Sequence, residues 1–158
     1  MDKTITTVLL IIAGVICSVY LFNSVYPMIN RSSAAMVSMT DKIDDRMQSR
    51  IDIVHATGSP DRHTIYIWIK NVGSNRILDI PNTDLFLGPE GNYMRIPHTS
   101  TAGGAYPQWS YDIENDTEWG IGATIKITVN YSSDPGAGTY YIKVAIPNGI
   151  QAEYYFSM

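Results

Sequence analysis

VLLIIAGVICSVYLF, from Val8 to Phe22, decides how the rest of this chain is read. It lies inside a longer uncharged run, Thr4 to Asn30, dominated by Val, Leu, Ile, Ala and Tyr. About 20 apolar residues in a helix cross a bilayer. The run is longer than the apolar part of a typical signal peptide, and no small-x-small site leads into a polar boundary. It is therefore expected to remain in the mature protein. Ala13, Gly14 and Ser18 are small enough to let a second helix approach closely. Pro27 is expected to kink the helix or to be absorbed by its neighbours.

Outward from this run the pattern changes twice. On its N-terminal side Lys3 is the only cation, too little to set a membrane orientation. On its C-terminal side Met36, Met39, Ile43, Met47, Ile51 and Val54 recur at steps of three or four, which is a helical stripe. Lys42, Asp44, Asp45, Arg46, Gln48 and Arg50 occupy the other face. The expectation is one helix within residues 1–55, about 50 residues and so about 75 Å long at 1.5 Å per residue. Its second half would pack on the chain's own outer domain through the stripe. Ala56-Thr-Gly-Ser-Pro-Asp61 then breaks the helix.

From His63 onward the period drops to two. Ile65, Ile67 and Ile69 face one way, Tyr66 and Trp68 the other; Ile125, Ile127 and Val129 repeat the pattern. Strands are expected over 63–70, 77–80, 83–87, 93–96, 109–113, 124–131, 139–146 and 151–156. Pro147-Asn-Gly149 turns the last hairpin. Residues 97–108 read as an exposed loop. Short strands at this spacing make a β-sandwich or barrel of residues 56–158. The fold class is α+β, a long hydrophobic helix followed by an immunoglobulin-like sandwich.

Composition narrows the chemistry. The chain carries a formal charge of -4, all of it in residues 56–158, which argues against nucleic acid. Cys17 is the single cysteine, so no intrachain disulfide forms; within the apolar run it reads as a small apolar residue. His55, His63 and His98 show no metal-ligand spacing. Asp112, Glu114, Asp116 and Glu118 alternate like a solvated edge and lack an EF-hand's spacing and glycine. No phosphate loop or nucleophile elbow is present, so no catalytic residue, cofactor or metal is expected. Three Asn-x-Ser/Thr sequons start at Asn30, Asn115 and Asn130; the last two would be glycan acceptors on an exported domain. The 11 Tyr and three Trp are expected chiefly as cross-strand and interface residues, with carbohydrate stacking through Trp68, Trp109 or Trp119 as the alternative.

The order of features resembles the archaellin group of the type IV pilin superfamily, which includes the archaellum accessory proteins F and G. The resemblance spans nearly the whole chain. It rests on the apolar helix, Asp41-Lys-Ile-Asp-Asp45, a strand-initiating Arg50-Ile-Asp-Ile-Val54, and Ile65-Tyr-Ile-Trp-Ile-Lys-Asn-Val-Gly-Ser74. Glu118-Trp-Gly-Ile-Gly122, Gly138-Thr-Tyr-Tyr-Ile-Lys-Val144 and Asn148-Gly149 are similar to the last strands of accessory protein G. Archaellins are made with a leader cut after a Lys/Arg-Gly pair, and no such pair precedes the run here. The resemblance implies a structural subunit of an extracellular, archaellum-like helical filament serving swimming motility. Leu9, Leu10, Ile12, Val15, Ile16, Val19 and Phe22 would then pack as a homopolymer core. The chain would sit in the membrane before assembly, with an assembly ATPase and a platform protein as partners. The alternative is a membrane-anchored stator protein whose β-domain binds the cell envelope.

Overall fold

In a computed structural model, which describes residues 2–158, the chain forms two units, Met1–Ile43 and Asp44–Met158. The first is helical throughout its described residues. It belongs to α1, Asp2–Gln48, which runs through Pro27 without ending. Thr6, Thr7, Ser18 and Thr40 each donate a hydroxyl to the carbonyl four residues back, at 2.7–2.9 Å. Those polar groups are thereby satisfied within the helix, as an apolar environment demands.

The second unit is a sandwich of two antiparallel four-stranded sheets. Its strands are β1 (Ile51–Gly58), β2 (Thr64–Asn71), β3 (Asp84–Pro89), β4 (Met94–Ile96), β5 (Gln108–Glu114), β6 (Thr124–Asn130), β7 (Thr139–Ala145) and β8 (Gln151–Ser157). One sheet has the order β1-β2-β6-β5, the other β4-β3-β7-β8. Alternation puts Ile65, Ile67, Ile69, Ile125, Ile127 and Val129 inward, all fully buried with Leu85, Leu87, Ile142 and Val144 of the facing sheet. Each such side chain contributes about 1.5–3 kcal/mol. The expected α+β architecture is the one observed.

Three expectations change. The helix ends at Gln48, not near residue 55, because the amides of Ser74 and Asn75 take the Gln48 carbonyl, at 2.7 and 3.4 Å. Ile51 and Val54 consequently lie on β1, so neither continues the helical stripe. Ile51 is buried in the sandwich core; Val54 is 55% exposed, at a bulge where the register shifts between Ile53 and His55. A bulge adds one residue to one strand. Here it turns period-two burial into Ile51, Ile53, Ala56, whose last step of three mimics a helix. Lastly, residues 77–80 are no strand. They form a loop leading into a short 3-10 turn, Ile80–Asn82, with Ile77 and Ile80 buried as plugs of the core.

Candidate functional site

Helix α1 has no buried side chain among its described residues. Leu9, Leu10, Ile12, Val15, Ile16, Val19 and Phe22 are 50–71% exposed. At about 100° per residue all but Leu10 fall within a sector about 140° wide and Leu10 lies on the opposite side, so no single flat surface covers all seven. Its most apolar window has a mean hydropathy of 2.5. Between Thr4 and Thr40 the only charge is Arg31. That segment is about 55 Å long at 1.5 Å per residue, against a hydrocarbon core about 30 Å thick. Met36, Met39, Ile43 and Met47 are also exposed, Met47 by 80%.

The last turn of α1 is built into the sandwich by two loops, 71–75 and 147–149. Arg46 Nε donates to the Asn148 carbonyl at 2.8 Å. The Asp45 carboxylate accepts from Asn75 Nδ2 at 3.0 Å and from Asn148 Nδ2 at 3.3 Å. Asn148 Nδ2 also reaches Ser49 Oγ at 2.7 Å. Val72 and Gly73 donate their amides to the Arg50 carbonyl at 2.9 and 3.0 Å. Gly73 lies so close that a Cβ there would meet Gln48 O and Arg50 N at 2.5 Å.

Asn71 organises this joint from within. It is fully buried. Its Nδ2 donates to the carbonyls of Asn75, at 2.8 Å, and Trp119, at 3.2 Å. Its Oδ1 accepts the Gly73 amide at 3.0 Å. Its backbone bonds Ala123 and Gly122, both at 2.9 Å. A buried amide with both ends used ties three chain segments at fixed spacing. In the sequence, Asn71-Val-Gly-Ser74 and Asn148-Gly149 stand out as parts of the family resemblance and Pro147-Asn-Gly149 as a turn, with nothing to show that they meet at one joint.

Other candidates separate. Trp109 and Trp119 are 0 and 1% exposed, so neither presents a ring to a sugar; burial in the core overturns that reading for both. Trp68 stands half-buried on the outer face beside His55, with ring centres 5.5 Å apart. His98 packs edge-on against Trp109 at 4.6 Å and accepts the Ser100 amide through Nδ1 at 3.2 Å. Burial lowers its pKa below the usual histidine value. Among the described residues no three His, Cys, Asp or Glu side chains converge. Glu118 pairs with Arg76 at 2.9 Å and leaves the acidic alternation. Asn115 is exposed in the β5–β6 turn with φ 57°, whereas Asn130 is half-buried at the end of β6 and accepts from Thr64 Oγ1 at 3.5 Å.

Comparison with known proteins gives a consistent picture. Residues 3–156 match the archaeal-type flagellin family. An uncharacterized protein of Archaeoglobus fulgidus is 25% identical over 98% of both chains. The archaellum periplasmic stator protein FlaG from Sulfolobus acidocaldarius superposes with a TM-score of 0.60 at 26% identity, covering 68% of this chain and 99% of that one. Archaeal flagellin FlaB1 from Methanocaldococcus jannaschii gives a TM-score of 0.55 at 18% identity, covering 70% and 90%, a likeness of fold.

Proposed function

From its place in the archaeal-type flagellin family, a structural and non-enzymatic family to which this chain belongs, we propose that it is a subunit of an extracellular, archaellum-like helical filament that drives swimming. The observation that carries this reading is the length of exposed apolar helix. A lone anchor needs about 20 residues. The stretch from Thr4 to Thr40 is nearly twice that and has one charge. Lipid covers the segment before assembly; neighbouring copies cover it afterwards, so its surface never meets water. Leu9, Leu10, Ile12, Val15, Ile16, Val19 and Phe22 supply the filament core. A platform protein and an ATPase provide assembly energy, since this chain presents no nucleotide-binding motif.

The test is electron microscopy of surface appendages on cells producing this chain, wild type and Leu10→Asp/Val15→Asp. Wild-type cells carry filaments made chiefly of this chain. The variant carries none, because each substitution forfeits about 1.5–3 kcal/mol of burial and places a charge in an apolar bundle. Filaments from the double variant refute the proposal.

A second reading is favoured by the 26% identity to a periplasmic stator protein. In that case α1 stays in the bilayer and the sandwich binds the cell envelope. Low copy number, extraction by detergent alone and the absence of this chain from sheared filaments would select it.

A further inference from the structure

The C-terminal third of α1 is three-sided. At about 100° per residue, Met36, Met39, Ile43 and Met47 fall within a sector about 80° wide. Arg31 and Lys42 lie within about 20° of each other, about 115° to one side of that sector's centre. Asp44 lies about 100° to its other side, with Asp41 about 60° beyond it. All of these side chains are exposed. The helix thus has an apolar face with a basic flank on one side and an acidic flank on the other.

A solitary helix gains little from this arrangement. Like charges four residues apart, Asp41 with Asp45 and Lys42 with Arg46, each cost it a few tenths of a kcal/mol. Asp45 and Arg46 are taken by the joint with the sandwich. The other charges are not. The cations in ion pairs among the described residues are Arg62, Arg76, Arg95 and Lys143, so Arg31 and Lys42 are in none. Asp41 has no partner there either, and Asp44 accepts only from its own helix, through Gln48 Nε2 at 2.7 Å. The nearest carboxylate C-terminal to Arg31 is Asp41, ten residues along. That is about 15 Å of helix, beyond the reach of an arginine.

We propose that these flanks mate between copies of this chain, Arg31 and Lys42 of one helix against Asp41 and Asp44 of the next. The inference rests on the filament reading above and adds the contact that sets its direction. When parallel copies stand side by side around a filament axis with their methionine sectors turned the same way, the basic flank of each meets the acidic flank of the next. An antiparallel arrangement brings like to like. Charges flanking an apolar seam select partner and orientation in this way in coiled coils. The pattern also asks for stagger. Lys42 is level with Asp41 and Asp44 of an unshifted neighbour, whereas Arg31 meets those carboxylates only on a copy shifted by about 15–20 Å. A helical polymer presents both neighbours.

The test uses the full-length chain in filament-producing cells. Arg31→Glu/Lys42→Glu makes both flanks acidic; Asp41→Lys/Asp44→Lys makes both basic. Each variant alone is expected to lower surface filament number at least tenfold. Produced together, the two restore filaments, and mass spectrometry of sheared material finds both chains in about equal amounts. Circular dichroism of each extracted variant checks that helix and sandwich are intact. Wild-type filament numbers from either variant alone overturn the inference while leaving the filament reading in place. So does failure of the mixture to restore filaments, the result expected if the flanks meet lipid headgroups or a different protein. Absence of filaments from wild-type cells refutes the filament reading itself, and this inference with it.

Discussion

Gly73→Ala isolates the joint between α1 and the sandwich. The added Cβ would sit 2.5 Å from Gln48 O and from Arg50 N and 3.1 Å from Ser49 C. All three are backbone atoms, so no side chain can rotate away. The loop 71–75 must withdraw by about an ångström to restore contact near 3.5 Å. Three hydrogen bonds depend on that approach: Val72 N and Gly73 N to Arg50 O, and Ser74 N to Gln48 O, at 2.7–3.0 Å. At about 0.5–1.5 kcal/mol each, losing two of them with some residual strain costs about 2–4 kcal/mol. Gly120→Ala is the control. A Cβ there has nothing within 4 Å, and Gly120 is not among the glycines of positive φ. The expected change is within about 0.5 kcal/mol of zero. Urea unfolding of the detergent-solubilised chain, followed by tryptophan fluorescence, reads both, since Trp109 and Trp119 are buried in the sandwich. A Gly73→Ala midpoint indistinguishable from that of Gly120→Ala would mean that the loop does not hold the helix end in the way described.

Two further expectations follow from side-chain environments. His98 has a pKa lowered by burial, and protonation would remove the Nδ1 acceptor that holds the Ser100 amide. Its folded pKa lies below its unfolded one, so its contribution to stability is complete above about pH 6.5 and declines as pH falls below that value. A pH series of unfolding midpoints should show this loss in the wild type and a smaller one in His98→Gln; equal slopes count against the assignment. In a host that N-glycosylates exported proteins, the Asn115 peptide should carry the glycan mass and the Asn130 peptide should not. Asn115 stands in an exposed turn, while Asn130 is paired on both sides by β2 and β5. The reverse occupancy would contradict this ranking.

The superpositions on the stator protein and on the flagellin cover 68 and 70% of this chain, whereas the match to the archaeal-type flagellin family runs over residues 3–156 and so includes the helix. The two readings part at the fate of that helix. An anchor would place one copy of it in lipid for good. A filament subunit would exchange lipid for other copies, and the charge-swap variants of its C-terminal third test which of the two its two-signed flanks serve.

Local pattern alone settled several features of this protein. Uncharged apolar length identifies the helix from Thr4 onward, because no other sequence property tolerates such a run. Period-two alternation identifies β2 and β6, with their inward isoleucines named correctly, because the pleat itself dictates that period. The hairpin at Pro147-Asn-Gly149 was legible from its turn residues; Gly149 adopts φ 87° there. The end of the helix was not legible. Ile51 and Val54 continue its spacing while Arg50-Ile-Asp-Ile-Val54 resembles a strand start, and pairing of β1 with β2, through a bulge at Val54, decides for strand. Nor could spacing reveal that Ile77 and Ile80 turn inward without forming a ladder, or that Trp109 and Trp119 are spent on the core. The joint was hidden for the same reason. Arg46 and Asn148 meet across 102 residues. A hydrogen bond between groups that far apart in the chain has no periodicity, and only the folded sandwich, by bringing the 71–75 and 147–149 loops to one end of its sheets, creates it.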